Sequence, residues 1–185
     1  VLIVDGGSCR VGLESTVVSL VDAVSNPLAP IRVLRPGFIA PHQIATALRT
    51  AMNSTRGVEF LEPAGTPINP AAPLESPGLT DRHYAPASEA IRFEPHQRES
   101  AMARVASSAS PIVITHRREL LPAGLAAKVA AMPKSPADYA QVLYDALRRA
   151  DAEHPSLIAI EFPTETDHPL WDAIRDRLRR AATPI

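Results

Sequence analysis

The chain has a single cysteine, Cys9, in 185 residues. It therefore holds no internal disulfide and no cysteine-rich zinc site. The six histidines are scattered, and His42, His96, His116, His154 and His168 show no metal-ligand spacing. Charge of one sign is not in excess: 19 Lys and Arg face 20 Asp and Glu, for a net charge of -1. A general nucleic-acid or membrane-surface binder should show a basic excess. Apolar runs fall far short of the roughly 20 residues a membrane helix needs. The first segment lacks the charged start and apolar stretch of a signal peptide. Aromatic residues are only 4%, although hydrophobic residues at 45% still supply a core.

Proline is abundant. It occurs 19 times in 185 residues, roughly twice the usual ~5%. Six prolines, from Pro63 to Pro86, fall between Leu61 and Ala90. Proline lacks an N–H and restricts its predecessor, so this stretch is neither a regular helix nor a central strand. A flexible spacer would be richer in Gly and Ser. The stretch instead carries Asp81, Arg82, His83 and Tyr84, so it reads as an extended linker whose second half binds something. The division that follows is residues 1–60, a linker at 61–89, and a unit at 90–185.

In the first part, Val1–Asp5, Ser15–Val21 and Ile31–Leu34 read as strands and Pro41–Met52 as a helix with Pro41 in its first turn. So few elements make a poor core on their own. Because residue 1 is Val and already reads as strand, the chain is expected to begin inside a fold. After the linker, strands and helices alternate. Ala90–Glu94, Pro111–Thr115, Lys128–Met132 and Ser156–Phe162 read as strands. Arg98–Ser108, Pro136–Ala150 and Pro169–Ala182 read as helices. Ser135 and Asp138 suggest a capping box with Pro136 at the first helical position. Near-continuous apolar strands between helices predict an α/β unit whose parallel sheet is covered on both faces.

Three motifs carry chemistry. Asp5-Gly6-Gly7 with Gly12-Leu13-Glu14-Ser15-Thr16-Val17-Val18 offers backbone N–H groups and two hydroxyls at a strand mouth. On spacing alone, a glycine loop shaping a hairpin explains it better. Leu34-Arg35-Pro36-Gly37 places a guanidinium at a strand end, where it could grip a phosphate or pair with a surface carboxylate. Ser76-Pro77-Gly78 through His83-Tyr84-Ala85-Pro86 puts an aromatic and an imidazole in a loop. They either contact a ligand or anchor a linker. Cys9 reads as incidental. Glu161 and Glu165 sit near the end of an inferred parallel strand, where ligands often bind, but without a glycine-rich phosphate fingerprint. Arg175, Arg177, Arg179 and Arg180, interspersed with Asp172 and Asp176, read as a solvated helix face. Trp171 reads as core or as a contact between units.

In this order the motifs strongly resemble the threonylcarbamoyl-AMP synthase family in its two-domain form: a YrdC-like domain, a linker and a C-terminal Rossmann-like domain. The last helix, Ala173-Ile174-Arg175-Asp176-Arg177-Leu178-Arg179-Arg180-Ala181-Ala182, is also similar to that family's. The resemblance spans essentially the whole chain and is loosest in the middle of residues 90–185. It implies an enzyme, a nucleotidyltransferase that joins L-threonine, bicarbonate and ATP with Mg2+, releases pyrophosphate and forms threonylcarbamoyl-adenylate. That product would pass to the tRNA threonylcarbamoyl transferase machinery in the cytoplasm, with no membrane and no direct nucleic-acid contact. By the same resemblance Ser15 contacts L-threonine, while Arg35 and Tyr84 contact ATP. No catalytic residue and no metal ligand is assigned.

Two departures stand out. The family's Lys/Arg phosphate motif and its serine-x-asparagine motif, which precede the glycine pair, are not found in this sequence. The stretch from Val21 to Ile31 is longer than the family's usual turn. The resemblance therefore implies the C-terminal portion of the synthase, inactive by itself. The alternative is a non-catalytic Rossmann-like regulatory or interaction module.

Overall fold

A computed structural model describes residues 2–7, 9–26, 29–52, 57–60 and 84–185. The proline-dense stretch from Pro63 to Pro77, most of the expected linker and His83 lie outside them.

The first sheet follows from short β-branched runs. β1 (Val17–Ser19) pairs antiparallel with β2 (Ile31–Arg35), and β3 (Val58–Phe60) pairs parallel with β2. Ser19 sits opposite Arg32, near the start of β2. Residues beyond Ser19 have no ladder partner there, and local bonds take over. The Val24 N–H donates to the Leu20 carbonyl (3.0 Å) and the Asn26 N–H to the Asp22 carbonyl (2.8 Å). The result is a short helix, α1 (Val21–Ser25), where the composition predicts strand up to Val21. Val1–Asp5 also departs from expectation: Leu2, Ile3 and Val4 form no strand and are 91%, 83% and 87% exposed. Backbone donors and acceptors need a partner to make a ladder, and no described strand lies beside them. The helix α2 (Pro41–Met52) forms where its spacing predicts. Ahead of it, the Gln43 side chain accepts from the Ala40 N–H (2.8 Å).

The second sheet contains β4 (Ala90–Phe93), β5 (Pro111–Thr115), β6 (Lys128–Ala131), β7 (Leu157–Glu161) and β8 (Thr183–Pro184). Its order is β6-β5-β7-β4-β8, and every pair is parallel. Three helices connect it: α3 (Arg98–Ala106), α4 (Pro136–Asp151) and α5 (Leu170–Ala181). Alternation along each strand divides the core. Ile112, Ile114, Ile158 and Ile160 pack with α4 and α5; Val113, Leu157 and Ala159 pack with α3. The sheet is thus covered on both faces, as apolar runs of this kind require. Trp171 is core, 1% exposed, with its ring 5.5 Å from that of Tyr139.

Pro136 opens α4 after Ser135, but the capping box does not form: Ser135 makes no side-chain cap bond. The first turn closes through the backbone, the Tyr139 N–H donating to the Ser135 carbonyl (2.9 Å). At the far end of α4, Asp151 accepts from the N–H groups of Ala87 (2.9 Å) and Ser88 (2.8 Å), fixing the approach to β4. Those two donors hold its carboxyl below the ordinary value.

Leu143 is fully buried between α4, α5 and the sheet. Leu143→Ala should lower unfolding stability by about 2–5 kcal/mol. Urea unfolding followed by emission of Trp171, the sole tryptophan and a member of the same cluster, measures it.

Candidate functional site

The β1–β2 register places Val17 opposite Arg35 and brings the Ser15 segment beside the end of β2. Arg35 Nε donates to the Ser15 carbonyl at 3.2 Å. The turn after Arg35 is tight: a Cβ on Gly37 would lie 2.3 Å from the Thr16 backbone nitrogen and 2.6 Å from the Ser15 carbonyl carbon. Glycine at 37 is what allows the two segments to touch. Thr16 spends its hydroxyl on the Ile39 carbonyl (2.7 Å), the backbone role that competes with ligand binding for such residues. Ser15 is exposed.

Tyr84 arrives from the other side. Its backbone is in the left-handed region (φ 57°), which non-glycine residues enter at a cost. Its ring is 59% exposed and packs 5.0 Å from that of Tyr144 on α4. Tyr84 and Arg35 line one narrow cleft of about 10 Å3 together with Glu14, Tyr144, Arg177 and Arg180. The three residues singled out from the sequence are therefore gathered in one place: Arg35 and Tyr84 in the cleft, Ser15 adjoining it. A larger cavity of about 530 Å3 lies beside Tyr84, between residues 9–14, Pro86 and α4.

The glycine-rich start plays a different part from the one its spacing suggests. Gly7 turns back onto Asp5, its N–H donating to the Asp5 carboxylate (2.8 Å). Gly12 lies flat on α4: a Cβ there would meet the Ala140 carbonyl at 2.4 Å. Gln141 donates to the Cys9 carbonyl (2.9 Å), and Leu13 packs against the α4–α5 core. Residues 9–14 are thereby laid across the second unit.

That segment ends in an ion cluster. Glu14 takes Arg177 Nε (2.8 Å) and the Tyr144 hydroxyl (2.8 and 3.0 Å) on its carboxylate. Arg177 also reaches the Glu14 carbonyl (3.3 Å), the Pro36 carbonyl (2.5 Å) and Asp176 (3.0 Å). Burial pushes the Glu14 carboxyl up. A backbone hydrogen bond, Arg177 and the Tyr144 hydroxyl outweigh that and leave it below the ordinary value. Burial, followed by the neighbouring Glu14 carboxylate, raises the Tyr144 phenol.

Arg177 overturns the expectation of a solvated arginine face. It is 3% exposed and Asp176 2%; Arg180 salt-bridges Asp176 at 3.0 Å. The signal was present in the spacing. Leu170, Ala173, Ile174, Leu178 and Ala181 form the buried stripe of α5, and 177 falls on that stripe. Tyr144 carried no comparable signal, and the role of Glu14, although it lies in a quoted motif, shows only through partners 130 and 163 residues away.

Glu161 and Glu165, at the carboxyl end of β7, meet a second polar cluster. Glu161 is 1% exposed and accepts from Arg98, Thr115 and Arg117 Nε (3.0 Å). Glu165 pairs with His116 Nε2 (2.9 Å). Burial raises the Glu165 carboxyl, but the His116 and backbone hydrogen bonds prevail and lower it. These carboxylates are engaged in tying β7 to β5 and α3.

The model of the family described as threonylcarbamoyl-AMP synthase, C-terminal domain, matches residues 39–183. The chain belongs to that family. Over 94 residues it is 34% identical to a threonylcarbamoyl-AMP synthase of Pyrococcus abyssi, covering 50% of this chain and 23% of that protein. Over 100 residues it is 32% identical to the Schizosaccharomyces pombe synthase, covering 50% and 20%. A crystal structure of P. abyssi Sua5 complexed with L-threonine superposes on 98% of this chain with a TM-score of 0.72 at 25% identity. The superposition covers 50% of that structure, so the chain spans about half its length. A doubly substituted form of the same archaeal protein gives a TM-score of 0.70 at 24% identity, over 98% of this chain and 49% of that one. The match covers both sheets, and the family is one of enzymes named for threonylcarbamoyl-AMP synthesis.

Two outcomes follow from this geometry. Gly37→Ala should lower stability by roughly 1–3 kcal/mol, because the new methyl meets backbone that cannot step aside; thermal unfolding measures it. Glu14 has a lowered folded-state pKa, so its contribution is complete above its ordinary value of 4.5 and is lost as pH falls through the folded value. The stability gap between wild type and Glu14→Gln should therefore be widest near neutral pH and close in acid, read by urea unfolding across pH.

Proposed function

We propose that this chain is the C-terminal portion of a threonylcarbamoyl-AMP synthase, with residues 1–60 contributing one wall of the catalytic site. The 61–89 stretch then links that wall to a Rossmann-like unit at 90–185. The overall reaction condenses L-threonine, bicarbonate and ATP to threonylcarbamoyl-adenylate, pyrophosphate and water, a nucleotidyl transfer. The carbamate oxygen formed from threonine and bicarbonate attacks the α-phosphorus, and the bond to the pyrophosphate leaving group breaks. The observation that carries this reading is the family match over residues 39–183, and the nearness of Ser15, Arg35 and Tyr84 to one another supports the roles given them below.

In that reading Ser15 contacts L-threonine with its exposed hydroxyl. Arg35 offsets the charge that builds on the phosphates. Nε is engaged with the Ser15 carbonyl, the side chain lines the cleft, and a planar guanidinium suits phosphate oxygens. Tyr84 contacts ATP and shields the carbamate from water. Among the described residues no group of three or more His, Cys, Asp or Glu could hold a metal, so Mg2+ would come bound to the ATP phosphates. The product would serve the enzymes that transfer threonylcarbamoyl to tRNA adenosine, in the cytoplasm. No helix among the described residues is long and apolar enough to cross a membrane.

The chain alone lacks the Lys/Arg phosphate motif, so it should release no pyrophosphate from ATP, threonine and bicarbonate. A polypeptide that carries that motif ahead of this sequence should do so. In it Arg35→Ala should raise the KM for ATP about tenfold or more, and Ser15→Ala should act chiefly on the KM for threonine. Turnover by the chain alone, or unchanged ATP binding in Arg35→Ala, would count against the assignment.

A further inference from the structure

We infer that Arg177, on the last helix of the second unit, is a positioning residue for the threonine and ATP contacts; this rests on the function proposed above. Its guanidinium is 3% exposed and joined to the carbonyls of Glu14 (3.3 Å) and Pro36 (2.5 Å). Glu14 immediately precedes Ser15, and Pro36 immediately follows Arg35. One side chain therefore holds the backbone on the outer flank of both ligand contacts. Its remaining bonds fix its own orientation: Nε to the Glu14 carboxylate (2.8 Å) and Nη1 to Asp176 (3.0 Å), which Arg180 also grips (3.0 Å). Tyr144 bonds the same Glu14 carboxylate and packs, with its ring tilted, against that of Tyr84. All three ligand contacts are thus one residue or one ring away from this clamp.

The chemistry is specific to arginine. Two backbone carbonyls and two carboxylates converge on one planar group, and only a guanidinium presents enough donors in a fixed fork. Lysine keeps the charge but cannot reach both carbonyls and Glu14 together. The second unit then has a role in catalysis without touching substrate: it sets the spacing between the Ser15 and Arg35 segments. That spacing matters because ligands that touch both segments bind well only when those contacts are held close to their productive geometry by the groups behind them.

The test compares wild type, Arg177→Lys, Arg177→Ala and Asp176→Asn with the exposed-surface control Arg149→Ala, in the polypeptide that carries the phosphate motif ahead of this sequence. Arg177→Lys should keep a thermal midpoint within a few degrees of wild type by Trp171 emission. Its KM for ATP and for threonine should each rise about tenfold, while kcat falls less than threefold. Arg149→Ala should change neither. If Arg177→Ala does not fold, Arg177→Lys and Asp176→Asn carry the test. A folded Arg177→Lys with both KM values within twofold of wild type overturns the proposal. If wild type itself forms no adenylate, the functional reading has failed. The clamp is then judged by amide hydrogen exchange on the present chain, where Arg177→Lys should speed exchange at residues 15–18, 33–35 and 37 at least tenfold. Unchanged exchange there overturns it.

Discussion

A charged group taken out of water must be matched by partners on every side, and Arg177 is matched by groups from three places in the chain. Placing a guanidinium in a nearly dry setting is costly unless its hydrogen bonds are satisfied. The satisfaction here requires Glu14, Pro36 and Asp176 to arrive together. Much else in the arrangement follows. Gly12 must lie flat on α4 so that the segment can reach Glu14, and Gly37 must be bare so that the Pro36 turn can close on residues 14–16. The two units are held in register by geometry that tolerates little variation.

The second unit supplies the rigid platform for this contact. Its central strands β5 and β7 are buried on both faces, and α4 and α5 pack on the same side with Tyr139, Leu143, Trp171 and Ile174 between them. Close packing of this kind deforms little. Tyr144 and Arg177 project from those same two helices, so their positions inherit the stiffness of the core beneath. The first sheet is different: among its described side chains only Ser19, Ile31 and Val33 are buried, and nearby Val21, Val24 and Phe38 are largely exposed. It depends for its placement on what it touches.

Elements stabilised by their own periodicity were legible in the sequence. β5, β7, α2, α4 and α5 fall within one or two residues of where apolar spacing puts them. The elements missed are those that exist only through a partner. β3 and β8 are short ladders whose residues carry no pattern of their own, and α1 begins at Val21, the last residue of the expected strand, and runs on through residues for which no element is expected. Leu2–Val4 erred in the opposite direction, strand-like in composition but without a neighbour to pair with. The site divides the same way. Ser15, Arg35 and Tyr84, whose ligand contacts are proposed, belong to short contiguous motifs that stand out in the sequence. Arg177 and Tyr144 act at separations of 163 and 130 residues from Glu14 and were not. Arginine on a helix reads as surface unless its position on the apolar stripe is given more weight than its charge.

The far edge of the second sheet has a consequence for association. β8 runs only from Thr183 to Pro184, parallel to β4, and proline offers no N–H to an approaching strand. An edge this short and interrupted is a poor template for another chain, and proteins use such ends to resist stacking sheet upon sheet. A parallel sheet of apolar strands would otherwise invite growth sideways into fibres or swapped dimers. A strand approaching this edge finds little backbone to pair with.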